Sequence, residues 1–219
     1  MANLSDAQVE IEAEKVGKEL LAYIKLTQRV YTDYQIISDE FDDDVAEDGN
    51  LSITGSSSGR WAYSNNLEGY FDPEHVKRWL GVGSDFSYIA DPEQREAHTV
   101  RANENYNGYL KLVKAIKDTG GQVDITYKDS DSAMDWLGEG VARLELVDGE
   151  VQYSHSFEEG DFSIAAFAEQ QGEDEYWALE YLYGDEVASS YDKYAEAQKA
   201  EGHTPANPDT WYESIYEDE

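Results

Sequence analysis

Cysteine is absent from this chain, which excludes a disulfide framework and any thiolate metal centre and makes a reducing cytoplasm the simplest setting. Long apolar runs are missing too. No stretch approaches the ~20 residues of a membrane span, and the opening MANLSDAQVEIEAEKVGKELL carries acids where a signal peptide needs positive charge, so export by that route is not expected. Phosphate-cradling signatures, G-x-x-x-x-G-K-[ST] and G-x-G-x-x-G, do not occur. Bases are scarce: sixteen Lys and Arg face 48 Asp and Glu, for a formal charge of -32. Such a surplus repels anionic lipid, DNA and RNA and favours basic proteins as partners, at a cost in self-repulsion within the folded chain.

What is present argues against disorder. Forty per cent of the residues are hydrophobic and 13% aromatic, including 17 Tyr and 5 Trp, enough for a sizeable core in 219 residues. Two explanations of the charge compete. A salt-adapted surface loses lysine to arginine and thins its bulky side chains, whereas here lysine is the commoner base and the aromatics are abundant; an acidic binding or structural protein suited to high salt is therefore the secondary reading. The primary one is that the field itself is useful.

The pattern along the chain predicts an α+β fold, an antiparallel sheet packed with helices, as a domain over 1–158 and an acidic helical C-terminal segment over 159–219. Ser5 with Gln8 forms a capping-box pattern, and Val9, Ala13, Val16, Leu20, Tyr23, Ile24 and Thr27 recur at helical spacing, which predicts one helix over residues 5–30. A short strand is expected over Tyr34–Ile37, followed by the acidic loop Asp39–Asp48. Two strands, 51–54 and 60–63, are expected around the Gly-Ser stretch 55–59, with extended chain continuing toward Phe71. Asp72-Pro73 and Asp91-Pro92 are helix starts; the first opens a helix through Trp79 and Leu80, the second a longer one with Tyr106, Leu110, Val113 and Ile116 on one face and Gly120-Gly121 at its end. Val123, Ile125 and Tyr127 alternate as a strand, and Asp148-Gly149 joins strands 141–147 and 150–157 in a type I′ hairpin. Helices follow around 162–170, 176–183 and 186–200.

Catalytic and metal motifs are weak. Gly55-Ser-Ser-Ser-Gly59 matches G-x-S-x-G, but it lies between strand-like segments rather than at a strand-to-helix elbow, so hydrolysis through Ser57, or through a carboxylate pair, ranks third. His75, His98, His155 and His203 show no paired metal-ligand spacing, and neither Asp42–Asp48 nor Asp129, Asp131 and Asp135 fits an EF-hand. No cofactor, metal ligand or catalytic residue is assigned.

The informative feature is the union of acids with aromatics. Residues 172–219 hold fourteen acids and only Lys193 and Lys199 as bases. Carboxylates three or four apart on a helix lie ~5 to 6 Å from one another, compatible with a phosphate path that has one charge per ~3.4 Å along a DNA strand. Glu173, Asp174, Glu175, Glu180, Asp185 and Glu186, with Asp192 and Glu196, trace such a path, and Trp177, Tyr181 and Tyr191 are interleaved as aromatic anchors. Together with the loop acids Asp42, Asp43 and Asp44 they form the expected partner-binding set. In composition, size and charge over its whole length the chain resembles the acidic DNA-mimic inhibitors with which phages and mobile elements block restriction enzymes, CRISPR effectors and other host DNA-binding proteins. No motif ties it to one member, so no residue is carried over. The resemblance implies a non-enzymatic, stoichiometric inhibitor, often a homodimer, acting in the cytoplasm of the host on a basic nucleic-acid-binding protein, without touching nucleic acid or membrane itself.

The acids at 42–44 are too closely spaced to be core. Replacing Asp42, Asp43 and Asp44 together by Asn is expected to leave stability within ~0.5 kcal/mol of the parent or above it, through relief of repulsion. Thermal melting checks this; loss of the fold would mark the cluster as an ion site.

Overall fold

A computed structural model describes residues 4–28, 35–37, 44–60, 62–131, 136–160 and 163–216. In chain order the elements are β1 (Leu4–Glu14), α1 (Gly17–Thr27), β2 (Leu51–Arg60), α2 (Tyr63–Phe71), α3 (Val76–Trp79), α4 (Pro92–Thr119), β3 (Gln122–Asp131), β4 (Trp136–Val147), β5 (Glu150–Gly160), α5 (Ile164–Gln171), α6 (Glu175–Tyr183), α7 (Asp185–Ala200) and α8 (Pro208–Tyr216). They form the expected α+β fold. The chain divides into two compact units, residues 1–133 with 138–159, and residues 134–137 with 160–219.

The first unit is built on a five-stranded antiparallel sheet in the order β2-β1-β3-β4-β5. An interior strand, β1, replaces the first half of the helix expected over 5–30. Ala7, Val9, Ile11 and Ala13 point into the core while Glu10, Glu12 and Glu14 are exposed, an alternation of period two. Helical spacing fits Val9, Ala13, Val16 and Leu20 equally well but leaves Ile11 among the acids. Pairing settles the conflict: Ile11 faces Ile53 on β2 and Ile125 on β3, and a strand joined on both sides satisfies all its backbone groups. Only after Lys15, at φ 63°, does the chain turn into α1.

The expected pair of strands around residues 55–59 is one continuous strand, β2, and the chain then becomes helical as α2 instead of staying extended to Phe71. Small residues need not be a turn when a neighbour supplies the ladder. The hydroxyl of Ser57 is buried and donates to the Gln35 carbonyl at 2.7 Å, so this serine has the role of a strand residue. Residues 35–37 are not a strand; Ile36 and Ile37 fill the core. The helix after Asp72-Pro73 is shortened to α3.

Other local signals hold. Asp91 caps α4 by accepting from the Glu93 amide at 2.9 Å, and Gly120 ends it in the left-handed region. The buried stripe of α4 runs through Ala102, Asn105, Tyr109, Leu112 and Ile116, leaving Leu110 43% exposed, outside the face expected for it. Asp148 and Gly149 both take positive φ, as a type I′ turn requires. On β4, Gly138 and Gly140 lie against the rings of Phe157 and Tyr127, where any Cβ would overlap.

Helices α1, α2 and α4 pack around a core rich in tyrosine. Tyr23 donates to the Tyr70 carbonyl at 2.8 Å, Tyr109 to the Phe71 carbonyl at 3.2 Å, and Tyr63 to the Ile36 carbonyl at 2.6 Å. The first two satisfy carbonyls at the C-terminal end of α2, which lack intrahelical partners. At the other end, the fully buried Asp129 accepts from the Tyr63 amide at 2.6 Å. Both ends of α2 are thus closed by side chains from distant elements.

Burial, with lesser contributions from neighbouring phenols and, for Tyr63, from Asp129, raises the pKa of Tyr23 and Tyr63 well above the ordinary value. The native state therefore keeps both neutral. Their contribution is complete below the unfolded value of ~10 and is lost as pH climbs toward the folded values. Alkaline titration is expected to show a cooperative rise in tyrosinate absorbance, coincident with loss of ellipticity, well above the ordinary tyrosine value. A single titration of all tyrosines with the fold intact would contradict the burial.

Candidate partner-binding surface

The helical unit brings most of the expected contact residues together, and caps set its local geometry. Ser163 accepts from the Ala166 amide at 2.9 Å and Asp174 from the Trp177 amide at 2.8 Å. Asp209 of α8 takes the free amides of α5, with Ile164 at 2.6 Å and Ala165 at 3.3 Å. The core is small: Leu137, Ile164, Phe167, Ala168, Ala178, Leu179, Ala188 and Trp211. Aromatic side chains extend it outward. Phe167, Trp177 and Tyr181 form a stack, with ring centroids 6.1 Å apart for Phe167–Trp177 and 5.0 Å for Trp177–Tyr181. Phe167 is buried, Trp177 half-buried and Tyr181 48% exposed.

The expected acids fall into two groups. Asp174 is exposed but engaged as a helix cap, and Glu175 is half-buried. Glu173, Glu180, Asp185 and Glu186 are exposed, as are Asp192 and Glu196. Asp192, Glu180 and Asp185 act together on the Tyr176 hydroxyl: after partial burial, their charges are what raise its pKa. Acids from α6 and α7 therefore share one locality. Among the described residues of this unit, no acid lies within 4.0 Å of a base, whereas Lys117–Glu150 (2.5 Å), Lys128–Glu139 (3.0 Å), Arg143–Asp124 (2.5 Å) and Lys114–Asp118 are ion pairs of the first unit.

Tyr191 serves the interior. Its hydroxyl donates to the Ala206 carbonyl at 3.0 Å, the neighbouring Tyr194 oxygen accepts from the Ala206 amide at 3.1 Å, and both rings pack on Trp211. They hold the segment around Pro205 against α7. Asp42 and Asp43 lie outside the described residues. Asp44 is exposed, and the loop that follows is tied to the end of β1: Asp48 accepts from the Asn50 amide at 3.1 Å, and Asn50 accepts from the Lys15 amide at 3.0 Å.

A second acidic surface escapes a reading that treats β1 as helix. The face of the sheet opposite the core is open, with Glu10, Glu12 and Glu14 beside Asp124 of β3 and Glu139 and Glu145 of β4. It contains a shallow concavity of about 600 Å³ lined in part by Gln8, Glu10, Thr54, Thr126, Lys128 and Glu158. Lys128 and Arg143 partly neutralise this face. The hydrogen bond and charge of Asp124, followed by Glu145 and Glu14, hold Arg143 above its ordinary pKa. The readable signal was the run Val-Glu-Ile-Glu-Ala-Glu.

No family model, curated protein or solved structure matches this chain. Among the described residues no helix is long and apolar enough to cross a membrane.

Removing the caps tests this architecture. Asp209→Ala and Asp174→Ala are each expected to destabilise the helical unit by about 1–2 kcal/mol, while Glu186→Gln, an exposed acid of the first turn of α7, is expected to change it by under ~0.5 kcal/mol. Chemical denaturation followed by tryptophan fluorescence ranks the three.

Proposed function

We propose that this protein is a non-enzymatic nucleic-acid mimic that occupies the basic groove of a DNA- or RNA-handling protein of a host cell, of the kind found in restriction, CRISPR and other defence complexes. The observation that carries the reading is the set of exposed carboxylates on α6 and α7 with no base within ion-pairing distance among the described residues. Unneutralised charge at close spacing costs stability. A basic groove releases that cost on binding, and the resulting field accelerates encounter.

Glu173, Glu180, Asp185 and Glu186 supply the attraction in this reading. Tyr181, exposed at the end of the Phe167–Trp177 stack, supplies apolar contact of the kind that slows release. The non-enzymatic part is supported by Ser57, whose hydroxyl is committed to a backbone carbonyl inside a strand.

The test is capture of partners from a bacterial lysate with salt-gradient elution, followed by competition between this protein and duplex DNA for each purified partner. Mutually exclusive binding is expected, with affinity falling about tenfold or more between 50 and 200 mM salt. Reversing Glu173, Glu180 and Asp185 to Lys is expected to slow association about tenfold, and Tyr181→Ala to act mainly on dissociation. Simultaneous, independent occupancy by protein and DNA would overturn the proposal.

A further inference from the structure

At the end of α2 the chain turns sharply into α3, and three side chains converge there. Glu68, Asp72 and His75 occupy positions i, i+4 and i+7. His75 Nδ1 lies 2.9 Å from Glu68 Oε1 and 3.1 Å from Asp72 Oδ2, and the three donor atoms are all within 4.8 Å of one another. For ligands ~2.1 Å from a metal ion, two donors stand about 3.0 Å apart at a right angle and about 3.4 Å apart at the tetrahedral angle that Zn²⁺ prefers. The two His75 separations match the right-angle edge and lie a few tenths of an ångström inside the tetrahedral one.

The arrangement is held from outside. Asp72 uses its other oxygen, Oδ1, to accept from the Glu74 amide at 2.8 Å, which fixes the carboxylate and leaves Oδ2 toward His75. The His75 amide donates to the Asp72 carbonyl at 3.0 Å, and the next residue, Val76, is fully buried. The imidazole is thereby anchored at its backbone while its ring stays about half-exposed.

One further observation points to a ligand. Glu68 and His75 line a cavity of about 510 Å³ together with Asn65, Gly69, Arg78 and Trp79, which gives room for additional ligands such as water.

We propose that Glu68, Asp72 and His75 form a binding site for a divalent first-row transition-metal ion, with Zn²⁺ as the representative. One imidazole nitrogen with two carboxylates selects such ions over Mg²⁺ and Ca²⁺, which prefer all-oxygen shells. The ion binds between His75 and the two carboxylates, and it joins the last turn of α2 to α3. The inference does not rest on the function proposed above.

Because a chain of charge -32 attracts any divalent cation diffusely, the test must separate a site from an atmosphere. The full chain is titrated with Zn²⁺ by calorimetry in physiological KCl containing excess millimolar Mg²⁺, and the four imidazoles are followed by NMR. One saturable site is expected, with the His75 resonances responding first. His75→Ala and Glu68→Gln are each expected to weaken Zn²⁺ at least ~10-fold, whereas Asp48→Asn leaves it unchanged. His75 is exposed enough for its variant to fold, which circular dichroism verifies, and the NMR assignment on the unaltered chain needs no variant. Equal Zn²⁺ affinity in the parent and both variants, a first response at another histidine, or complete displacement by Mg²⁺ would overturn the site.

Discussion

A helix of nine residues gains too little from its own hydrogen bonds to persist in water, so α2 depends on what closes its ends. Asp129 reaches its first turn from β3, while Tyr23 and Tyr109 reach its last carbonyls from α1 and α4. These contacts are polar, buried and supplied by three different elements, so they tie the helical layer to the sheet at fixed points where apolar packing alone would tolerate sliding. The geometry downstream follows from them. With the last turn of α2 anchored through Tyr70 and Phe71, Glu68 and Asp72 have defined places, and His75 meets them.

The acids perform two kinds of work. Asp91, Asp129, Asp174 and Asp209 accept backbone amides at helix starts, where charge is favoured by the exposed N–H groups and the helix dipole. The exposed acids of α6 and α7 stand in solvent and repel one another. The bases are unevenly distributed: α4 carries Arg95, Arg101, Lys111, Lys114 and Lys117, against Lys193 and Lys199 in all of residues 163–216. The helical unit thus has the less compensated charge over the smaller core, and its half-buried aromatics, Tyr183 stacked on Tyr212 at 4.0 Å among them, add the contact area that the small core lacks.

Local chemistry was readable where one residue type answers one geometric need. Asp91-Pro92 and Gly120 marked the ends of α4, and Asp148-Gly149 marked the hairpin. Reading failed where two periods overlapped. Residues 7–16 satisfy both a helix and a strand, and the choice depends on Ile53 and Ile125, which are remote in sequence. Ser57 and its glycine neighbours look like a turn until β1 offers a ladder. Among the expected contact residues, the exposed acids of α6 and α7 are where helical spacing puts them. Asp174 and Tyr191 have internal tasks set by Trp177 and Ala206, which no spacing rule reveals. Glu68, Asp72 and His75 went unread together because α2 was expected as extended chain, in which positions four and seven apart do not share a side.

The position of β1 also has a consequence for biosynthesis. Its partners on β3 lie 108 to 126 residues downstream, so at ~5–20 residues per second of translation the first strand waits for several seconds with one edge unpaired. Its apolar residues alone would make that interval hazardous. Glu10, Glu12 and Glu14, alternating with them, place a row of like charges on every copy of the waiting strand, so that two nascent chains repel before they can pair. The alternation that marks β1 in the sequence thereby protects it on the ribosome, and the long closure it awaits puts this protein among slowly maturing folds.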